Sequence, residues 1–185
     1  MTALTPSQTV GPFFHLGFAP LNRENLAATG MAGEAITIQG RVLDGNGAGV
    51  DDAVIEIWQP DSEGRYSQPE DTPGESNFKG FRRIPTDSTG AFRFTTTKPG
   101  RVPGPDGELQ APHLMVTVLA RGLLKQLTTR IYLPAEPSNQ TDAVLSLVPP
   151  ERRSTLIAKN IAGAGDLLEW NVILQGVSET VFFDV

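Results

Sequence analysis

The run Ala111-Pro112-His113-Leu114-Met115 holds the residues of this chain best placed for metal chemistry. On a β-strand successive side chains alternate faces, so positions 113 and 115 point the same way and could grip one ion together. The first is histidine, a good ligand for iron. The second is methionine, whose soft thioether suits ferric iron poorly, so the pattern reads as a metal site that lacks a donor. The 185 residues include only two histidines, His15 and His113, two tyrosines, Tyr66 and Tyr132, and no cysteine. Disulfides and thiolate sites are thereby excluded, and any metal would have to use His, Tyr or carboxylate.

Other candidates read differently. Arg121 follows the apolar stretch Val116 to Ala120 and precedes Gly122. A strand-end arginine can form a structural ion pair or reach an anionic ligand at a pocket rim, and residue chemistry leaves both open. His15, between Phe14 and Leu16, reads as a packing histidine and Tyr132 as a core or interface residue; Tyr66, on a long loop after Gly64-Arg65, is the less ordinary tyrosine. Asp44-Gly-Asn-Gly47 and Gly104-Pro-Asp-Gly107 lack the ligand spacing of an EF-hand and the lysine of a P-loop, and are explained as turns. No Gly-x-Ser-x-Gly motif marks a serine nucleophile. The net charge of -6 and the scattered basic residues argue against a nucleic-acid binder.

These residues need elements to position them. A chain of 185 residues is read as one domain, 1–185, with 15 prolines and 19 glycines that fit short strands joined by tight turns. Strands are predicted at Ala35 to Leu43, Ala53 to Gln59, Ala91 to Thr97, His113 to Arg121 and Gln126 to Leu133, with shorter ones at Thr155 to Ala158, Glu169 to Leu174 and Thr180 to Phe183. The first two are expected to pair as a hairpin through Asp44 to Gly47. Residues 1–34 read as an irregular arm with Phe13, Phe14, Leu16 and Phe18, residues 60–89 as a long functional loop, and Pro149 to Arg153 as one helical turn. About eight strands at this spacing imply an all-β sandwich. No apolar run approaches the roughly 20 residues of a membrane helix and the opening residues lack a signal-peptide pattern, so a cytoplasmic location is expected.

Five stretches in order complete the reading: Thr5-Pro-Ser-Gln-Thr-Val-Gly-Pro-Phe-Phe14, Ile57-Trp58-Gln59 with Gly64-Arg65-Tyr66, Lys98-Pro99-Gly100, Ala111-Pro112-His113, and Glu179-Thr-Val-Phe-Phe-Asp184. Together they resemble the intradiol ring-cleavage dioxygenases over nearly the whole chain, and in particular the alpha-type chain of members built from two kinds of subunit. The resemblance implies a ferric iron held in a catalytic beta chain by two tyrosines and two histidines. Those four positions fall here on Tyr66, Val102, His113 and Met115, so no metal ligation and no catalytic residue is expected in this chain. It further implies that the arm 1–34 lies at the interface with beta, that Thr9, Gly11, Pro12 and Arg121 contribute to the substrate pocket there, and that alpha–beta units repeat in the assembly. The activity implied belongs to aromatic catabolism in the beta-ketoadipate pathway: dioxygen cleaves protocatechuate (3,4-dihydroxybenzoate) to 3-carboxy-cis,cis-muconate, with the isolated alpha chain inactive. Two rival readings are a self-sufficient iron enzyme using His113, Tyr66 and a carboxylate, which iron content would reveal, and a non-catalytic β-sandwich binding or adhesion module, which co-purification with a catalytic chain would exclude.

Overall fold

The computed structural model describes residues 9–11, 13–18, 33–67, 78–104 and 107–184, without the side chains of His15 and Phe18. Within them nine strands form two sheets. The first sheet carries β4 (Ala91–Thr97), β1 (Ala35–Leu43), β8 (Leu167–Glu169) and β7 (Lys159–Asn160) in that order, with β9 (Val172–Ile173) also paired to β1. The second runs β3 (Phe81–Pro85), β2 (Val54–Trp58), β5 (His113–Leu119), β6 (Leu127–Tyr132), all antiparallel. A short helix, α1, spans Phe13–Phe18 of the amino-terminal arm, and α2 spans Ala143–Leu147.

The sheets face each other because each has one apolar side. Ile36, Ile38 and Phe94 of the first pack in one buried cluster with Ile57, Leu114, Val116 and Ile131 of the second. This shared core overturns the expected β1–β2 hairpin. The turn at Asp44 does form, with its carboxylate accepting the N–H groups of Asn46 and Ala48, and Leu43 bridges Gly49. The chain then crosses to the opposite sheet, so that the buried faces of β1 and β2 meet across the core instead of lying side by side.

Four further expectations are corrected. Residues 60–89 are not all loop, since Phe81–Pro85 forms an edge strand on β2. Thr155 to Ala158 is not a strand: Pro150–Thr155 is a 3-10 helix, and only Ile157 bridges Tyr132. Thr180 to Phe183 contributes a single bridge, Phe183 to Thr128. The stretch expected as one strand at Glu169 to Leu174 is two pieces, because Trp170 passes directly over Gly40, where a Cβ would come 1.7 Å from its carbonyl oxygen.

A buried carboxylate joins the second sheet to its surroundings. Asp142, 1% exposed, caps α2 by accepting the Leu145 N–H at 2.8 Å, accepts the Ala111 N–H just ahead of β5 at 2.8 Å, and accepts the Tyr132 hydroxyl of β6 at 2.9 Å. Burial pushes its pKa up, but the three hydrogen bonds outweigh this and hold it below the ordinary carboxylate value. Asp142→Ala leaves three buried donors without an acceptor and is expected to cost about 3 to 5 kcal/mol, with Asp142→Asn costing less because one oxygen remains. Urea unfolding of both variants checks this, and a loss below about 1 kcal/mol for the alanine variant would refute it.

Candidate functional site

The strand register places the chemistry on the outer face of the second sheet. Leu114, Val116 and Val118 of β5 are fully buried in the core, so His113, Met115 and Thr117 face outward. His113 lies opposite Tyr132, and Met115 lies between Trp58 of β2 and Arg130 of β6. Trp58 in turn faces Phe81 of β3 and stacks on Tyr66, with ring centroids 5.8 Å apart and planes within 8°. One row of the sheet therefore reads Phe81, Trp58, Met115, Arg130, with His113 and Tyr132 in the row beside it.

Two loops pack at the end of this face, one carrying Tyr66 and the other Val102. Asp61 organises the first: its carboxylate accepts the N–H groups of Glu63 and Arg65 at 2.9 Å each and the Arg65 Nε at 3.0 Å. Its carbonyl oxygen also accepts the Gly100 N–H at 2.8 Å, tying the two loops together. They touch backbone to backbone, since a Cβ on Gly64, whose φ is +83°, would come 2.1 Å from the Arg101 carbonyl oxygen. Only glycine satisfies both demands at that position. Gln59, fully buried, anchors both loops from below by donating to the carbonyls of Pro60 and Thr97 and accepting from the Thr96 hydroxyl.

A polar chain runs through the site. Arg130, half-buried, donates to Gln110 Oε1 at 2.8 Å and to the Tyr132 hydroxyl oxygen at 3.2 Å; Tyr132 donates onward to Asp142. The Gln110 N–H bonds the carbonyl of Val102 at 2.8 Å, which links the second loop to the same network. His113 is 2% exposed and its Nδ1 donates to the Ala111 carbonyl at 2.8 Å, which leaves Nε2 as the basic nitrogen. Burial and the positive charge of Arg130 push its pKa down to about 4, so the ring is neutral. Burial raises Tyr66 and Tyr132, against the pull of Arg130 in each case, so both are neutral phenols.

The expected residues thus divide into groups. His113 and Met115 share the outer face with Arg130, Tyr66 stacks on Trp58 beside Met115, and Val102, 5% exposed, fills its position with hydrocarbon. Of these four positions, only Tyr66 and His113 carry a donor suited to ferric iron, and both are held neutral. Among the described residues no three His, Cys, Asp or Glu side chains stand where they could share a metal ion. Arg121 lies past the opposite end of β5, a strand that itself spans roughly 20 Å at about 3.4 Å per residue. It is 58% exposed and paired with Asp52 and, at 3.8 Å, with Asp51. Thr9 and Gly11 are exposed, whereas Pro12 lies outside the described residues. Sequence reading missed Arg130, Gln110 and Asp142. The one available signal was the alternation Arg130-Ile131-Tyr132, which puts the arginine on the face of the tyrosine.

With this geometry in place, comparison with known proteins assigns the class. A family model described as Dioxygenase matches residues 10–176. The chain belongs to the intradiol ring-cleavage dioxygenase family. It is 42% identical to the protocatechuate 3,4-dioxygenase alpha chain of Burkholderia cepacia, over 100% of both chains. It is 38% identical to the alpha chain from Pseudomonas putida, over 97% of this chain and 96% of that one. The beta chain of the Burkholderia cepacia enzyme is 32% identical over 80% of this chain and 67% of its own length. Among solved structures, the dioxygenase domain of a carbohydrate-binding fusion from Streptomyces sp. SirexAA-E superposes with a TM-score of 0.66 at 27% identity, covering 97% of this chain and 100% of that one. That domain shares the fold of this chain. Among the described residues no helix is long and apolar enough to cross a membrane.

The neutral His113 has a pH consequence. Its pKa is about 4 when folded and roughly 6.5 when unfolded, so below pH ~6.5 the unfolded chain takes up a proton that the folded chain refuses. Stability is expected to fall between pH ~6.5 and ~4, by about 3 kcal/mol at the lower limit. Asp142, with a depressed pKa, adds its own loss only at lower pH. His113→Asn, which can keep the bond to Ala111, is expected to flatten the upper slope in urea unfolding at stepped pH. An unchanged slope would place the proton uptake elsewhere.

Proposed function

We propose that this chain is the non-iron-binding alpha subunit of a protocatechuate 3,4-dioxygenase and pairs with a catalytic beta chain in repeated alpha–beta units. The assembly cleaves 3,4-dihydroxybenzoate between its hydroxyl-bearing carbons, places both atoms of dioxygen in the product, and yields 3-carboxy-cis,cis-muconate. Ferric iron in the beta chain supplies the activation of the bound catechol towards oxygen. The single domain 1–185 works in the cytoplasm, with its arm 1–34 at the interface with beta.

The observation that carries the reading is the residue pair at two of the four ligand positions, a buried valine at 102 and a thioether at 115, in a chain otherwise similar along its whole length to alpha chains. A site of one phenol and one imidazole, both neutral, does not fit ferric iron, so no step of the reaction is assigned here. What alpha contributes is surface. Phe13 and Leu16 of the arm are 79% and 66% exposed, apolar side chains that a partner would cover. Thr9, Gly11 and Pro12 precede them, and Arg121 supplies a permanent positive charge for the benzoate carboxylate.

The iron assignment is tested on the isolated chain, which is expected to hold no stoichiometric ferric iron and to show no visible tyrosinate-to-iron absorption. About one tightly held iron per chain, with that band, would sink the reading. The role of Arg121 is tested in the assembly. Attraction to a carboxylate remote from the breaking bond acts on ground and transition states alike, so Arg121→Ala is expected to raise KM several-fold, on the order of 1 kcal/mol, with little change in kcat. Loss of the exposed pairs with Asp51 and Asp52 adds little to this. Catechol, which lacks the carboxylate, is the control; equal losses for both substrates in an intact, iron-loaded assembly would make Arg121 structural.

A further inference from the structure

We infer that the guanidinium of Arg130 takes the place of the cation among Tyr66, Val102, His113 and Met115, so that iron is kept out by a resident positive charge as well as by two missing ligands. The inference rests on the proposed reading of those four positions, and four separate links support it. Arg130 is the cross-strand partner of Met115. It donates to the hydroxyl of Tyr132, the cross-strand partner of His113, whose ring centroid lies 5.7 Å from that of Tyr132, and Tyr66 stacks on Trp58, the other cross-strand partner of Met115. Through Gln110, which accepts from the Arg130 Nη1 and donates its own N–H to the Val102 carbonyl, the guanidinium is tied to the fourth position.

The charge is also fixed in place. An arginine cannot shed its proton under any ordinary condition. The Nη1 group is held between Gln110 and the Tyr132 hydroxyl, and Tyr132 is completely buried with its hydroxyl bound to Asp142. Arg130, Tyr132 and Asp142 thus form a relay with one positive and one negative end, in balance as it stands. A ferric ion placed among the four positions would meet a like charge in a half-buried setting, where repulsion is stronger than in water. Restoring the two absent donors would leave that repulsion untouched.

The test installs the donors with and without the charge in the full chain. Val102→Tyr with Met115→His supplies them; R130Q and R130M then remove the charge at similar side-chain length, and R130K keeps the charge without the planar fork. Iron per chain after loading and removal of loosely held metal, together with the tyrosinate-to-iron band, is read for each variant alongside its circular dichroism. The double variant and its R130K derivative are expected to stay nearly metal-free, and the R130Q and R130M derivatives to bind at least about tenfold more iron and show the band. Equal uptake by the double and neutral triple variants would overturn the inference, as would no uptake by folded neutral variants, or uptake by the R130K derivative. Collapse of both neutral variants would assign Arg130 to folding alone and overturn it equally. Iron in the unmodified chain would instead refute the proposed function, a result separable from the difference between variants.

Discussion

The roll of β5 about its own axis is the constraint from which the rest of the site follows. β5 sits between β2 and β6 and buries Leu114, Val116 and Val118 completely, so neither pairing can slip by one residue without turning three apolar side chains out of the core. At ~25 cal/mol per Å² of apolar surface, exposing three such side chains would cost several kcal/mol, a large share of a domain's net stability. That same register obliges His113 and Met115 to face outward together. It also sets Trp58 and Arg130 beside Met115 and Tyr132 beside His113. The core thus decides which residues meet on the outer face, whatever chemistry they carry.

The outer face has to solve a different problem, because it places a half-buried guanidinium beside a buried carboxylate, imidazole and phenol. Burial penalises each charged form, and the structure responds in two ways. His113 and Tyr66 stay neutral, whereas Asp142 and Arg130 stay charged at the two ends of one hydrogen-bonded relay through Tyr132. The relay also holds structure together, since Asp142 binds the N–H of Ala111 and of Leu145. Electrostatics and architecture therefore share the same atoms, and a change in the charge at Arg130 reaches the entry to β5 through three hydrogen bonds.

How much could be read beforehand followed from the range of the interactions involved. β1 and β4 have the limits predicted from their own alternation, and the shared face of His113 and Met115 needed only the period of a strand. β3 escaped notice because Phe-Arg-Arg-Ile-Pro has adjacent charges and a terminal proline; it is a strand because β2 offers an open edge and Arg83 pairs with Glu56 across it. The β1–β2 hairpin failed because a good turn signal fixes a reversal of direction and not which sheet the next strand joins. Arg130 and Asp142 are ordinary residues in ordinary contexts, twelve positions apart in a chain where neither has a motif. What makes them a pair is tertiary: a hydroxyl on β6 reaching the cap of α2.

The placement of Arg121 separates the proposed contact with a partner from the four positions read as a metal site without its full set of donors. Its charge belongs to the far end of β5, paired with the Asp51-Asp52 turn, and shares no hydrogen bond with the relay around Arg130. Substitutions at 102 and 115 act at the other end of the sheet. Valine at 102 needs only to fill a buried position, and methionine at 115 only to pack between Trp58 and Arg130. Neither touches the inner row of β5 that fixes the strand. Stability rests on the core, the four-position site on the outer face and its two loops, and the proposed contribution to a partner's pocket on the arm and the opposite strand end. Positions 102 and 115 and the proposed pocket residues can therefore change with little effect on one another, whereas Arg130 and Asp142 tie the outer face to the entry of β5 and the cap of α2.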